Sequence, residues 1–212
     1  MLNSYYTLRE GVQAEGTFVD RKSKFIAQLV HVDTQEEAQA HIAAVRAKHY
    51  DARHNVPAWI LSSGEERQSD DGEPQRTSGI PTLTVLRAEN LADVCVVVTR
   101  YFGGTLLGPG GLVRAYTAAT QAAVEDARQK GYIVEMTSVV HVSLTVSYPL
   151  YDKVLRLATD SGAKVLDTQY SDTVTLKLVF KEGEQQPFVD ALREIMNGQD
   201  IAHVSQPQFA EF

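Results

Sequence analysis

Five glycines fall within nine residues between an apolar segment and a predicted helix: Gly103, Gly104, Gly108, Gly110 and Gly111. We call residues 103–111 the glycine loop, which Arg100 and Arg114 flank. The backbone N–H groups at a helix start have no partner within the helix, so they can bind a phosphate or a carboxylate. The pattern therefore predicts an anion site. The alternative is that the glycines only let a strand turn tightly into a helix.

Two nucleotide-binding motifs fail at particular positions of the glycine loop. Gly103 and Gly108 have the spacing of the glycines in a P-loop. The next two residues, Pro109 and Gly110, stand where that motif requires lysine and serine or threonine. The dinucleotide-binding fingerprint fails too, because Val113 occupies the position of its last glycine. ATP and NAD are thus unsupported, and we expect no cofactor.

A second candidate site lies in residues 69–74, which we call the acidic loop. Three of its members are acidic: Asp70, Asp71 and Glu73. Carboxylates this close together can bind a hard cation such as Mg²⁺, or pair with arginines of a partner. Their order differs from that of an EF-hand loop. Acidic loops are also commonly solvated or engaged in internal capping bonds, and we expect no metal here.

Residues 49–54 contain two histidines, His49 and His54, together with Asp51 and Arg53. The spacing of the histidines is not the i, i+4 spacing that places two ligands on one helix face. A zinc site is therefore not expected. We expect the histidines and Arg53 to border the same surface as the acidic loop.

Composition restricts the function classes. The 212 residues carry a formal net charge of −7, which argues against wholesale electrostatic capture of nucleic acid but is compatible with local basic patches. No apolar run approaches the roughly 20 residues of a membrane-spanning helix, and no secretory signal opens the chain. We expect a cytoplasmic protein without membrane association. The single cysteine, Cys95, excludes an internal disulfide, and its apolar neighbours indicate a buried residue rather than a nucleophile.

The elements that must position these residues follow from hydrophobic spacing and capping signals. The first part is predicted to contain two strands within 16–32, a helix from a Thr34–Glu37 capping box to about Lys48, a strand over 56–61, a helix from Ser78 to about Asn90, and a helix from about Gly111 to Lys130. The second part is predicted to contain a strand over 140–146, a helix that has apolar residues over 151–158 and is ended by Gly162, strands over 163–170 and 173–180, a helix over 186–196, and a strand over 201–206.

The second part has the order β-α-β-β-α-β of a ferredoxin-like domain. The sequence therefore predicts an α+β protein of two domains, residues 1–137 and 138–212. Neither domain is basic overall.

Three segments in this order closely resemble the IMPACT family: residues 69–74 continued by 77–81, residues 96–104, and residues 107–116. The resemblance extends over nearly the whole chain and is to the bacterial, YigZ-type branch, which has a C-terminal ferredoxin-like domain. The chain departs from the family pattern at Arg76, where the family usually has glycine. It departs again at Val56, where the family often has cysteine.

The resemblance implies an N-terminal domain similar to domain 2 of ribosomal protein S5, and a C-terminal domain similar to domain V of elongation factor G. Both of these proteins work on the ribosome. Eukaryotic members of the family regulate translation by competing for the activator of a kinase that responds to amino-acid starvation. Bacteria lack that pathway, so this partner does not carry over.

We hypothesise a non-enzymatic regulator linked to translation, whose N-terminal domain binds RNA or a ribosome-associated protein. The predicted contacts are four arginines and the amides of the glycine loop: Arg53, Arg76, Arg100, Arg114, Gly103, Gly104, Gly110 and Gly111. A rival hypothesis is a metal-dependent enzyme for a small anionic substrate, with Asp70, Asp71 and Glu73 as ligands or general bases. A third is a protein-interaction module that presents the acidic loop to a basic partner. The oligomeric state stays open.

Overall fold

The computed structural model describes residues 4–212, which form two compact units. The first unit ends at Val134, and the second runs from Glu135 to Phe212. The described residues contain five helices and two sheets, which confirms the predicted α+β class. None of the described helices combines the length and the apolar character needed to cross a membrane.

The first unit is built on a five-stranded antiparallel sheet with helices against it. Its elements are β1 (Ser4–Leu8), β2 (Gln13–Asp20), β3 (Ser23–His31), α1 (Gln35–Lys48), β4 (His54–Ile60), β5 (Glu66–Gln68), α2 (Gly79–Ala88), β6 (Val94–Tyr101) and α3 (Gly108–Gln129). The strand order in the sheet is β2-β3-β6-β4-β5. Strand β6 is central and buried from Val94 to Arg100, which its apolar run over 94–98 favours.

Cys95 of β6 faces α1, where it packs in a cluster with Ile42, Val45 and Trp59. Burial raises the pKa of the Cys95 thiol to about 12, so the thiolate does not form near neutral pH. The prediction of a buried, unreactive cysteine is confirmed.

Helix boundaries in the first unit differ from the predicted ones for local reasons. Thr34 caps α1 as expected, but the Glu37 carboxylate accepts from the N–H of Asp33 at 2.7 Å rather than from that of Thr34. Helix α3 begins at Gly108, three residues earlier than predicted, because Pro109 fits the first turn of a helix, where no N–H partner is needed. The polar stretch before α2 also contains the short strand β5, which the sequence did not predict.

The second unit has the β-α-β-β-α-β order that the sequence predicts. Its elements are β7 (Ile133–Val146), which begins just before the boundary, then α4 (Tyr148–Asp160), β8 (Lys164–Tyr170), β9 (Val174–Lys181), α5 (Gln186–Ile195), β10 (His203–Val204) and β11 (Gln208–Glu211). Strand β9 lies between β8 and β7, and both β10 and β11 pair with the other edge of β7. Alternate residues of β7 and β9 form a core with α4 and α5.

Two strand predictions in the second unit are wrong in their limits. The strand expected over 201–206 is limited to β10, and β11, which the sequence did not predict, follows Pro207, which has no N–H for a ladder hydrogen bond. Strand β7 begins seven residues before the predicted start at 140, because β11 pairs with residues 136–139 and extends the ladder.

Candidate anion-binding cleft

The acidic loop, the end of β6 and the glycine loop meet at a cleft of about 360 Å³ in the first unit. Arg53 and His54 at the start of β4 line the cleft together with Glu73, Arg100 and Phe102. Residues 106–109 and Leu112 complete its wall. The structure thus brings together the two motifs that are far apart in the sequence.

A buried ion pair forms the floor of this region. Arg100 donates from Nη1 to both carboxylate oxygens of Glu73, at 2.7 and 2.9 Å. Their side chains are only 7% and 3% exposed. Tyr116 donates to Glu73 Oε1 at 2.8 Å, and burial followed by the Glu73 charge raises the pKa of Tyr116, which therefore stays a neutral donor. A buried charge needs such partners because desolvation is costly.

The Arg100 guanidinium keeps part of its hydrogen-bonding capacity. It lies between two rings, 5.4 Å from the centroid of Phe25 and 5.7 Å from that of Phe102. Both bonds to Glu73 come from Nη1, and the buried Nε has no hydrogen-bond partner among the described residues. An arginine has five N–H donors, and while the buried Nε is not accessible to a ligand, the donors of Nη2 remain for a ligand in the cleft that the residue lines.

His54 is held in one tautomer beside this pair. Its Nδ1 lies 2.7 Å from the carbonyl oxygen of Asp71, and because a carbonyl only accepts, Nδ1 carries the proton of the neutral ring. Nε2 lies 3.7 Å from Glu73 Oε2. Asp71 is itself fixed, since its carboxylate accepts from the N–H of Asn55 and from Arg46, each at 2.7 Å.

Asp70 caps helix α2 from outside the helix. Its carboxylate accepts from the backbone N–H groups of Arg76, Ser78 and Gly79, at 2.7, 3.1 and 2.9 Å. The expected cap, the Ser78 side chain, makes no capping bond and instead donates to Asp70. All three carboxylates of the acidic loop are therefore bonded within the protein, in agreement with the alternative of internal capping bonds.

The role of Asp70 leads to a prediction about stability and pH. Burial by itself raises the pKa of Asp70, but hydrogen bonds from Arg76, Gly79 and Ser78 outweigh it and hold this pKa below its ordinary value. A lowered folded-state pKa stabilises the protein above the unfolded pKa, about 3.9, and this stabilisation is lost as pH falls through the folded pKa. We expect Asp70→Ala to cost about 1–2 kcal/mol at pH 7, and less below about pH 4.

Urea unfolding of the full chain between pH 7 and pH 3 measures this difference. Asp172→Ala is the control, because Asp172 is exposed in the second unit and its substitution should leave the free energy of unfolding unchanged. A constant cost of Asp70→Ala across this pH range would contradict the proposed cap.

The start of α3 supplies unpaired backbone donors to the cleft. Leu107, at the cap position, offers no capping bond, and the first turn contains no acidic residue. Of the two glycines that the sequence predicts to bind an anion here, Gly111 donates its N–H to the Leu107 carbonyl as the first bond of the helix, and Gly110 is exposed but does not line the cleft. Gly108, whose amide has no partner within the helix, does line the cleft. The Gly103 amide is unsuited to this role, because it donates to the Ser23 hydroxyl at 3.1 Å. Gly104 is exposed and does not line the cleft.

The four predicted arginines have different surroundings. Arg53 is exposed and lines the cleft, whereas Arg100 is buried on Glu73. Arg114 lies 3.1 Å from Asp20, is 69% exposed and does not line the cleft, although α3, on which it lies, begins there. Arg76 is exposed and does not line the cleft. That these side chains bind RNA stays a prediction.

Sequence reasoning missed a basic turn beside the glycine loop. Arg21 and Lys22 join β2 to β3, and both are exposed. Arg21 donates to the carbonyl oxygen of Leu106 at 3.4 Å, and the backbone of Lys22 packs against Gly103. The charged turn at 20–24 is visible in the sequence, but its place beside Gly103 depends on the pairing of β3 with β6.

His49 belongs to a separate network, contrary to the expectation that both histidines border the acidic loop. Its Nδ1 lies 2.9 Å from the Tyr101 hydroxyl and its Nε2 lies 3.1 Å from Gln28 Nε2. Within residues 4–212, one group of three ligand-type side chains lies within 4.8 Å, and it is Glu10, His31 and Asp33, outside the acidic loop.

Comparison with known proteins identifies the family. Residues 21–124 match the Impact N-terminal domain, and residues 144–199 match a domain of unknown function, DUF1949. IMPACT family member YvyE of Bacillus subtilis is 35% identical over 201 residues, which cover 93% of this chain and 89% of YvyE. IMPACT family member YigZ of Escherichia coli is 32% identical over 182 residues, which cover 84% and 87% of the two chains.

A crystal structure described as that of a hypothetical protein has the same fold over nearly the whole chain. The two share 28% sequence identity, the alignment covers 96% of this chain and 97% of that one, and the TM-score is 0.58. The sequence and structure comparisons agree with the resemblance of the three motif segments, so the chain belongs to the IMPACT family.

Proposed function

We propose that this chain is a non-enzymatic regulator linked to translation, whose first unit binds RNA phosphates at the cleft. One observation carries the proposal. Arg53, Arg100 with its remaining donors and the uncapped start of α3 all line the same cleft. Arginine guanidinium groups and helix N-termini are the groups that position proteins on phosphates. The link to translation is what the family resemblance implies.

Charge around the cleft supports an anionic ligand although the chain is acidic. Glu73 and Arg100 neutralise each other, so this pair adds no net charge, and the exposed Arg53 supplies positive charge at the cleft. The basic turn at Arg21 and Lys22 adds exposed positive charge next to the glycine loop. Binding through such a patch depends on phosphate contacts, so it weakens as salt rises.

The rival hypotheses find less support in this geometry. A metal-dependent enzyme needs carboxylates that are available to a cation, yet Asp70, Asp71 and Glu73 are all bonded within the protein. An interaction module that uses the acidic loop needs that loop exposed, yet Glu73 is buried and Asp70 and Asp71 are half-buried.

Co-sedimentation of the full chain with ribosomes at low salt, with and without nuclease treatment, tests the proposal. Reversal of Arg100 would unfold the site, so the variant is Arg53→Glu with Arg114→Glu, two exposed residues. The control is Lys153→Glu with Arg156→Glu, which changes the net charge equally on exposed residues of the second unit.

We expect the cleft variant to lose binding and the control variant to keep it. When the logarithm of the binding constant is plotted against the logarithm of the salt concentration, the magnitude of the slope should fall by about 1 for each phosphate contact removed. Equal binding by the cleft variant and the wild type would overturn the proposal. Binding that survives nuclease treatment would point to a protein partner instead.

A further inference from the structure

The cleft has an apolar side that a phosphate group alone does not explain. Phe102 lines it and is 43% exposed, and Leu106, which also lines it, is 81% exposed. The exposure of large apolar side chains to water at the edge of a cleft is unfavourable, and a ligand that covers them removes this cost. Arg53, Arg100 and the start of α3 form the polar side. The cleft therefore suits a ligand with one anionic part and one flat apolar part.

We propose that the cleft holds a single unpaired nucleotide of single-stranded RNA. Its phosphate would bind Arg53, the free donors of Arg100 and the first amides of α3, and its base would stack on Phe102. This inference rests on the proposed RNA-binding function and specifies the form of RNA that the cleft recognises.

Arg100 is the observation that points to a ligand independently of the helix start. Its side chain is only 7% exposed, it lines the cleft, and its Nε has no partner among the described residues. Buried polar groups in proteins are nearly always hydrogen-bonded, and an exception indicates an unfilled role. A phosphate in the cleft would bind the donors of Nη2 while the bonds from Nη1 to Glu73 stay in place.

Phe102 is well placed to hold a base. One side of its ring faces the Arg100 guanidinium, 5.7 Å from the centroid, which fixes the ring by a cation–π contact. Bases stack on such aromatic side chains largely without regard to sequence. In a duplex the base faces are already stacked on one another, so only an unpaired base can reach Phe102.

The volume of the cleft agrees with one small ligand. About 360 Å³ is near the lower end of the roughly 300–1,000 Å³ of small-molecule sites, and a duplex does not enter such a space. Single-strand binding of this kind combines a basic groove with an aromatic platform, and both are present here.

Fluorescence anisotropy with the full chain tests the inference. The probes are a labelled single-stranded RNA of eight nucleotides and the duplex of the same sequence, both at low salt. The variants are Phe102→Ala, Phe102→Trp and Arg53→Glu, and the control is Tyr50→Ala, which removes an aromatic ring that is 85% exposed outside the cleft.

We expect the wild type to bind the single strand at least ten-fold more tightly than the duplex. Phe102→Ala should weaken single-strand binding about ten-fold, and Phe102→Trp should retain it, since the loss of one stacked base has an effect of this order. Tyr50→Ala should bind as the wild type does. Retention by Phe102→Trp separates stacking from a structural role of Phe102.

Each other outcome overturns the inference in a recognisable way. In one such outcome the single strand and the duplex bind equally well, Phe102→Ala has no effect, and Arg53→Glu weakens binding. This result would overturn nucleotide stacking but would still support the RNA-binding function. Absence of RNA binding by the wild type, together with no ribosome co-sedimentation, would overturn both proposals.

Discussion

Glu73→Ala is expected to lower the free energy of unfolding of the first unit by about 3–5 kcal/mol, the cost of breaking a buried ion pair by removing one partner. The substitution leaves the Arg100 guanidinium buried without its carboxylate and removes the acceptor of the Tyr116 hydroxyl. Water compensates little for these losses, because Arg100 is 5% exposed and Tyr116 is fully buried. Urea denaturation of the full chain measures the loss.

Glu66→Ala is the matched control for this prediction. Glu66 also pairs with an arginine, Arg87, but their side chains are 32% and 54% exposed. Exposed ion pairs contribute little because water and salt screen them, so we expect a loss below about 1 kcal/mol. Similar losses for the two variants would show that Glu73 and Arg100 are not a buried pair in solution.

Gly103→Ala is expected to destabilise the first unit by about 3 kcal/mol, at the upper end of the usual cost of overpacking. A methyl group at Gly103 would lie 2.1 Å from the carbonyl carbon of Lys22 and 2.2 Å from the amide nitrogen of Ser23. Backbone atoms cannot rotate away as a side chain can, so the whole turn between β2 and β3 must move. The free energy of unfolding in urea measures the cost.

Gly110→Ala tests whether this effect is specific to close packing. Nothing lies within 4 Å of a methyl group placed at Gly110, and the residue is helical. Alanine favours a helix over glycine by about 1 kcal/mol, so stability should be unchanged or slightly raised. If both substitutions destabilised the protein equally, the packing of Gly103 on the basic turn would be wrong.

The sequence predicts only in part what the glycines of the glycine loop do. The anion-site prediction and the tight-turn alternative apply to different glycines of this loop. Gly103 is needed for a close approach to Lys22, and its amide is already bonded to Ser23. Gly108 lies at the uncapped start of α3, where its amide has no partner within the helix, and it lines the cleft.

The acidic loop could be found from the sequence, but its role could not. Three carboxylates in a polar stretch are equally compatible with a metal site, a docking surface or internal bonds. The structure shows that Asp70 caps α2 and that Glu73 binds Arg100, 27 residues later in the chain. The order of residues contains no information on which of these partners a carboxylate reaches.

The sequence by itself determined the α+β class, the order of elements in the second unit, the buried state of Cys95 and the family. These depend on hydrophobic period and local motifs, which neighbouring residues specify. Only the tertiary structure decided which charges stay free, because pairing depends on the register of β3, β4 and β6. That register places Arg100 opposite His54 and Phe25, so Arg100 binds Glu73 while Arg53 stays exposed at the cleft.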